Sequence, residues 1–342
     1  MNNATENGFN ELIGFKAEIK RIQKAITDFE SGQKADIALI SEPFAGRTTL
    51  VNMIEEMTAH EVTKRSLSSL VKNVDTLQIP KRSKNIVIVD NCHFLYQRTI
   101  GGFTLLEQFL NLVVSSTNLF VTTWNLYSWN YLNEVIDIGK VFPVQITLPK
   151  LGASELKELI LSRYKENEIE FADDGKTEER KIIHSVRYPV TIKRLEKTIT
   201  IPFFHIHFDR IKFHLSRKEE TKKAVDIIFE MIYRIANGNL GVAKVVWEKS
   251  LQYPTIKPSY VRECSFKIEL DYTESFILYL ILSMEALTRD DVLAMSGDSN
   301  VDEILFRLAQ QGLITVDKGY YKLNPEALNC IVGHLKRTGV IW

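Results

Sequence analysis

The sequence predicts an α/β protein: a parallel sheet with helices on both faces, then a helical module, then a helix-helix-helix-hairpin module. Three observations carry this. Short apolar runs ending in polar residues recur through the first 150 residues and alternate with segments of helical period, the pattern of buried parallel strands joined by crossover helices. The first run opens into a turn-rich loop and a helix start. The C-terminal stretch carries three apolar-periodic segments followed by two short runs around a glycine turn.

Leu12-Ile13-Gly14-Phe15 precedes a helical pattern at Ile19, Ile22 and Ile26, and 33–36 leads into the first strand. That strand belongs to the stretch Ile37-Ala-Leu-Ile-Ser41-Glu-Pro-Phe-Ala-Gly46-Arg47-Thr48-Thr49-Leu50, read as strand, loop and helix. On the phosphate-loop template G-x-x-x-x-G-K-[ST], the second glycine and the hydroxyl match, as Gly46 and Thr48. The first glycine is Ser41 and the lysine is Arg47. The chemistry asks for backbone N–H groups around phosphate oxygens at a helix N-terminus, where the helix dipole favours negative charge. Gly46 allows close backbone approach, Thr48 offers a magnesium ligand, Thr49 adds to the cradle, and Arg47 keeps a positive charge. Arginine is a planar fork rather than a point charge, so it need not sit where lysine would. The same residues also suit an ordinary strand-to-helix turn.

A polar, weakly periodic stretch runs to about Ser83. Asn85-Ile-Val-Ile-Val-Asp90-Asn91 then reads as a buried strand with an acid at its C-terminal end, where the second half of a nucleotide site is built in such sheets. Asp90 would hold the magnesium water shell; a simple strand-end turn is the alternative. The next position is Asn91, an amide that cannot take a proton, so general-base help is missing there. A helix over 103–114 leads to the apolar strand Asn118-Leu-Phe-Val-Thr-Thr123-Trp124-Asn125. Thr123 or Asn125 could reach a γ-phosphate or its attacking water, or could satisfy a turn. Val144-Gln-Ile-Thr-Leu148 is a last strand, and the domain ends near Lys150.

The second domain is expected over 151–258. Ser154 reads as an N-cap before an apolar face of Leu156, Leu159 and Ile160. Residues 181–223 hold eleven Lys/Arg against four Asp/Glu, interleaved with Tyr188, Phe203, Phe204, Phe208 and Phe213. Basic residues with aromatics suit a nucleic-acid backbone with stacked bases; a helical lid with a solvated charged face is the reading favoured. His205 and His207 share a face if 204–208 is a strand, with His214 near, but no Cys or spaced acid accompanies them and the metal claim is poor. Residues 224–235 and 242–251 read as helices around Asn237-Gly-Asn239-Leu-Gly241, and Pro254, Pro258 and Tyr260 mark a linker.

The third domain, 259–342, shows helical segments at 274–284, from the capped start Leu287-Thr288, and at 301–311. Ile314–Val316 and Tyr320–Leu323 then form a hairpin at Gly319. That is the order of a winged helix. Residues 271–342 hold six Lys/Arg against ten Asp/Glu, and the third helix carries Asp302 and Glu303 against Arg307. Phosphate neutralisation needs the opposite balance. A protein-binding role is expected, unless Lys318, Lys322, Lys336 and Arg337 act alone.

Composition bounds the rest. Lys+Arg and Asp+Glu both number 43 in 342 residues, so no global charge draws the chain to nucleic acid or membrane. Cys92, Cys264 and Cys330 lack metal spacing and suit reduced thiols of a cytoplasmic protein. The N-terminus has no signal-peptide pattern. Residues 103–124 include Glu107, Asn111 and Asn118 and read as helix plus strand rather than a membrane span.

This order of parts resembles the prokaryotic, archaeal-type AAA+/STAND ATPases: a P-loop NTPase parallel sheet, a helical lid and a C-terminal winged helix, a layout shared with origin-recognition-like ATPases. Gly14, residues 41–49, residues 86–90, the 148–164 stretch and Asn237-Gly-Asn239 carry the resemblance. It implies ATP or ADP with Mg2+ between core and lid, bound by Gly46, Arg47, Thr48, Thr49, Asp90 and Asn125, with Thr48 and Asp90 on the metal. It also implies domain rearrangement as output and oligomers as one form. The departures bear on hydrolysis. The first glycine, the lysine and the second acid are replaced, and the position after the Gly-Asn turn that often carries a sensor arginine is Gly241. Phosphoryl transfer rests almost wholly on positioned charge, so slow or absent hydrolysis is expected. Arg98, Arg163 or Arg234 could supply charge in trans. The leading expectation is an adaptor or switch. The alternatives are a DNA-binding initiator or regulator using 181–223 and the winged helix, and an active ATPase with Arg47 in the lysine's place.

Overall fold

A computed structural model describes residues 14–58, 60–79, 84–172, 174, 183–192, 197–206, 224–262, 266 and 268–341. Within 14–150 the chain runs α1 (Lys16–Glu30), β1 (Ile37–Ser41), α2 (Arg47–Met57), β2 (Val62–Ser66), β3 (Ile86–Asp90), α3 (Thr104–Ser115), β4 (Leu119–Asn125), α4 (Leu126–Ile136) and β5 (Val144–Thr147). The five strands are all parallel, in the order β2-β3-β4-β1-β5. Every residue of β1, β3 and β4 is buried, which requires helical cover on both faces. This is the P-loop NTPase type of sheet expected from the apolar runs.

Two core elements differ from the sequence reading. The stretch before Ser83 contains β2, an edge strand. Its Val-Thr-Lys-Arg-Ser sequence is only half-buried, and charged side chains on an edge leave no apolar run to detect. Between Asn125 and Val144 lies α4, whose N-cap is Asn125 itself: the side-chain Oδ1 accepts from Tyr127 N at 2.9 Å and Ser128 N at 3.4 Å. Strand passes to helix with no intervening breaker.

The second region holds α5 (Ala153–Leu161), β6 (Glu170–Phe171), β7 (Ile183–Ile192), β8 (Lys197–Ile206), α6 (Ala224–Ala236), α7 (Leu240–Ser250) and β9 (Thr255–Ile256). Trp247 of α7 stacks on Phe229 of α6 at 5.3 Å. The N-cap of α5 is Gly152, not Ser154: the Gly152 N–H donates to Glu155 Oε2 at 2.7 Å, and Ser154 already lies in the first turn. The basic-aromatic stretch departs from a purely helical lid. β7 and β8 pair antiparallel, Ile183 opposite Ile206 through Ile192 opposite Lys197. His205 falls in β8, whereas His207, His214, Phe208, Phe213 and the basic residues of 207–223 lie outside the described residues, as do Leu12, Ile13 and Cys264.

The third region runs α8 (Tyr272–Met284), β10 (Ala286–Thr288), α9 (Arg289–Ser296), α10 (Val301–Gln310), β11 (Ile314–Asp317), β12 (Tyr320–Leu323) and α11 (Leu328–Arg337), with sheet order β10-β12-β11. This is the expected three-helix-and-wing order, with a further helix α11. Asp271 with Glu274 and Thr288 with Asp291 form capping boxes at α8 and α9. Residues 277–284 of α8 are all buried. A helix apolar all round belongs inside a protein, and α8 is packed against α4 of the core as well as its own module. Its C-terminal end is thereby brought to the carboxyl ends of β1 and β4. No helix among the described residues is long and apolar enough to cross a membrane.

Candidate functional site

β1 has β4 on one side and β5 on the other, while the chain leaving β1 crosses to β2 at the far edge. In open α/β sheets this switch point, at the strands' carboxyl ends, is where ligands bind. Register sets Ser41 beside Asn125 and Val89 beside Thr122, so the ends of β1, β3 and β4 converge. The loop after β1 turns through Phe44 at φ +64° and Gly46 at φ +102° before α2 starts. A β-carbon at Gly46 would meet only ordinary contacts, Leu240 at 3.6 Å and Phe15 at 3.9 Å. The backbone angle is therefore what demands glycine. No side chain caps α2, and its first turn borders a cavity of about 340 Å³ lined by residues 44–49, Asn91, Leu240, Gly241, Lys244 and Glu285. Orphan N–H groups and the dipole make that end attractive to anions.

Thr48 and Asp90 meet as the sequence suggested. Thr48 Oγ1 donates to Asp90 Oδ2 at 2.9 Å, and Thr123 Oγ1 donates to Asp90 Oδ1 at 2.5 Å. Thr123 Oγ1 in turn accepts from Asn91 N at 2.8 Å. A hydroxyl and a carboxylate side by side fit a hard cation such as magnesium. Among the described residues no cluster of three or more His, Cys, Asp or Glu forms, so a cation here would complete its shell from phosphate and water. The Asn91 side chain donates to Leu67 O at 3.0 Å, which ties the amide to β2's end rather than to a reacting water.

Arg47 behaves differently from a loop lysine. Its side chain is 5% exposed and folds back: Nη1 donates to Ser41 O at 3.2 Å and Nη2 to Glu285 Oε1. Glu285 follows α8, adopts φ +63°, and also accepts from Asn125 Nδ2 at 2.9 Å. Asn125 Nδ2 donates further to Leu282 O at 2.9 Å. With Oδ1 capping α4, both ends of the Asn125 amide are engaged, so sensing a γ-phosphate would require exchanging these bonds. His93 is fully buried, its Nε2 4.0 Å from Glu285 Oε1. Burial lowers its pKa to about 3; Glu285 opposes this shift and Arg47 adds to it. Burial alone would raise the Glu285 carboxyl, but its charged partners hold it below its ordinary value. With His93 neutral, the Arg47 guanidinium is the charge that does so.

The lid closes on the loop through backbone. Gly241 N donates to Phe44 O at 2.9 Å, and Asn239 Nδ2 donates to Pro43 O at 2.7 Å while Asn239 caps α7. A β-carbon at Gly241 would lie 2.5 Å from Phe44 O. The position expected to carry an arginine thus has no room for a side chain while the loop stays put. Lys244, one turn further along α7, lines the cavity instead. Arg98 lies between the rings of Tyr131 and Tyr279, 3.5 and 4.4 Å from their centroids, and donates to Tyr279 OH. It is part of the joint between core and third module; Arg163 and Arg234 are exposed on the lid.

Glu285 and Lys244 line the cavity and His93 is buried beside Glu285; sequence reasoning missed all three. Lys244 shares a helical face with Gly241, three residues away, and could have been found that way. Nothing local marks Glu285. A larger cavity of about 680 Å³ lies elsewhere, where residues 69–73 and 94–97 and the start of α3 face Thr288, Asp290, Asp291 and Tyr320. None of the loop residues reaches it, and the chemistry-bearing groups converge on the smaller one.

No protein-family model and no curated protein matches the chain. Solved structures similar to it include the Thermotoga maritima RuvB Holliday junction branch migration motor, at 15% identity over 94% of each chain with TM-score 0.43. Others are the Aeropyrum pernix ORC2 protein, at 12% identity over 95% of this chain and 94% of that one with TM-score 0.41, and Cdc6p from Pyrobaculum aerophilum, at 11% identity, the same coverage and TM-score 0.43.

Proposed function

We propose that this chain is a nucleotide-binding switch of AAA+/STAND type, taking ATP or ADP with magnesium at the β1–α2 loop and turning it over slowly or not at all. The observation that carries this is the Thr48–Asp90–Thr123 chain of hydroxyls and carboxylate at the open N-terminus of α2. Gly46, Thr48 and Thr49 offer the phosphate cradle, and Thr48 and Asp90 the cation ligands. A bound magnesium would neutralise phosphate charge there. Weak hydrolysis follows from three placements. The Asn91 amide is held by Leu67 O, Arg47 is turned onto Glu285, and Gly241 leaves no space for a lid arginine at its position.

The output would be protein contact through the third module. On α10 Asp302 is held by Arg289 at 2.7–2.8 Å, and Phe306 is 61% exposed. An exposed aromatic beside the acids Asp302 and Glu303 on one helix suits a protein surface better than a phosphate backbone. Isothermal titration with ATP and ADP tests the reading: magnesium-dependent binding is expected, with the magnesium dependence lost in Asp90→Asn. No binding at millimolar ligand would refute it. Multiple-turnover phosphate release abolished by Asp90→Ala would instead make the chain an active ATPase. The antiparallel ribbon in the basic 181–223 stretch favours a second reading, nucleic-acid binding, because two-stranded ribbons enter grooves. Salt-dependent DNA retention would support it; none at low salt would sink it.

A further inference from the structure

We infer that Glu285 is a built-in competitor of the ligand: its carboxylate holds the Arg47 guanidinium that a bound phosphate would otherwise take, so nucleotide and third module exclude one another at that side chain. The inference rests on the nucleotide reading above and supplies its regulation.

Arg47 is almost fully buried, and its two terminal nitrogens are spent on Ser41 O and Glu285 Oε1. A guanidinium takes phosphate and carboxylate through the same planar fork, so one anion stands where the other would. Glu285 lines the same cavity as Gly46, Thr48 and Thr49; a phosphate on the α2 N-terminus would therefore approach a carboxylate. Two anions in one partly dehydrated space repel unless a cation lies between them. Arg47 can serve one of them fully.

The carboxylate is also the tip of a joint. The last turn of α8 is anchored on the core by Asn125 Nδ2 to Leu282 O, by Asn125 Nδ2 to Glu285 Oε1, and by Ser128 Oγ to Ser283 O at 2.6 Å. The bonds to Leu282 O and Ser283 O satisfy carbonyls that a helix C-terminus leaves unpaired. Glu285 itself sits at φ +63°, ψ −33° without being glycine, a conformation kept only where the surroundings over-determine it. Losing Arg47 to a phosphate removes the charged partner from this strained residue and weakens the joint. By linkage the effect runs both ways: whatever draws the third module off the core raises affinity for the phosphate ligand.

The test is titration of the full chain with MgADP, wild type against Glu285→Gln, combined with hydrogen exchange of α8. The variant keeps the side-chain shape and removes the competing charge. It should bind at least about tenfold more tightly, since apparent affinity scales with the competent fraction. In wild type, MgADP should speed exchange at residues 277–284; in the variant that exchange should be fast without ligand. Equal affinity with unchanged exchange overturns the competition while leaving nucleotide binding intact. No binding by either protein overturns the nucleotide reading and this inference with it. Should Glu285→Gln not fold, Glu285→Ala, which likewise removes the carboxylate, replaces it with the same direction expected and the same outcomes deciding.

Discussion

Alanine at position 241 is expected to pry the lid from the phosphate loop. The new β-carbon would stand 2.5 Å from Phe44 O and 2.7 Å from Phe44 Cβ, and the first obstacle is backbone, which cannot rotate away. Relief requires moving residues 43–46 or α7 by several tenths of an ångström. That movement stretches the Gly241 N to Phe44 O bond of 2.9 Å and the Asn239 to Pro43 O bond of 2.7 Å. Overpacking costs about 1–3 kcal/mol, and each weakened buried hydrogen bond adds about 1 kcal/mol. A loss of about 3–5 kcal/mol is expected. Urea denaturation followed by tryptophan fluorescence reads it, and MgADP titration of the folded variant should show weakened binding. A change below about 0.5 kcal/mol, the range of an indifferent surface substitution, with unaltered affinity would refute the argument that lid and loop touch through backbone here. Gly241→Arg, which restores the residue type the resemblance leads one to expect, should be worse rather than better.

Restoring an acid beside Asp90 is also expected to fail: Asn91→Asp sets a carboxylate against Leu67 O, which now accepts from the amide at 3.0 Å. A loss of about 1–3 kcal/mol with no gain in phosphate release is predicted, and a clear gain would show that the missing base alone limits turnover. Asn125→Ala removes the α4 cap and two donors to the third module. It should cost about 3 kcal/mol in urea denaturation and raise proteolysis near α8. Acid should destabilise the fold in two steps. Burial keeps folded His93 neutral down to about pH 3, whereas the unfolded chain protonates near the ordinary histidine value of 6.5. The unfolded state therefore binds more protons between those values. Stability is complete above 6.5 and falls by about 2 kcal/mol by about pH 5. His334, lowered by burial and by Arg337, acts in the same direction. Glu285, held below its ordinary 4.5 against the pull of burial, adds its loss only as pH drops under that value. His93→Phe should flatten the first step, and an unchanged profile would refute it.

Much of the architecture was readable because burial leaves a local imprint. β1, β3 and β4 are buried at every position, so each shows as an unbroken apolar run. Thr288 announces a helix start through a capping side chain that acts within three residues. The pairing of Thr48 with Asp90 was legible too, since a loop after β1 and an acid at the end of β3 must converge once the strands are parallel. What escaped had no local imprint. β2 lies at an edge with Lys64 and Arg65 in it, and α4 begins where β4 ends. Ser154 looked like a cap because a hydroxyl precedes an apolar face, but the chain entered the helix at Gly152.

The sequence by itself determined the parallel sheet, the loop with its glycine, hydroxyl and acid, and the arginine and amide at the positions where the phosphate-loop template has a lysine and the resemblance leads one to expect a second acid. Only the tertiary structure decided what the replacements do. Arg47 meets Glu285 238 positions along the chain, and Asn125 spends its amide on α4 and α8 rather than on open space. Gly241 is glycine because Phe44 O lies against it. Residue type and period report how each segment is buried, whereas a charge pair between modules depends on how one whole helix, α8, docks on another, and no pattern within either helix encodes that.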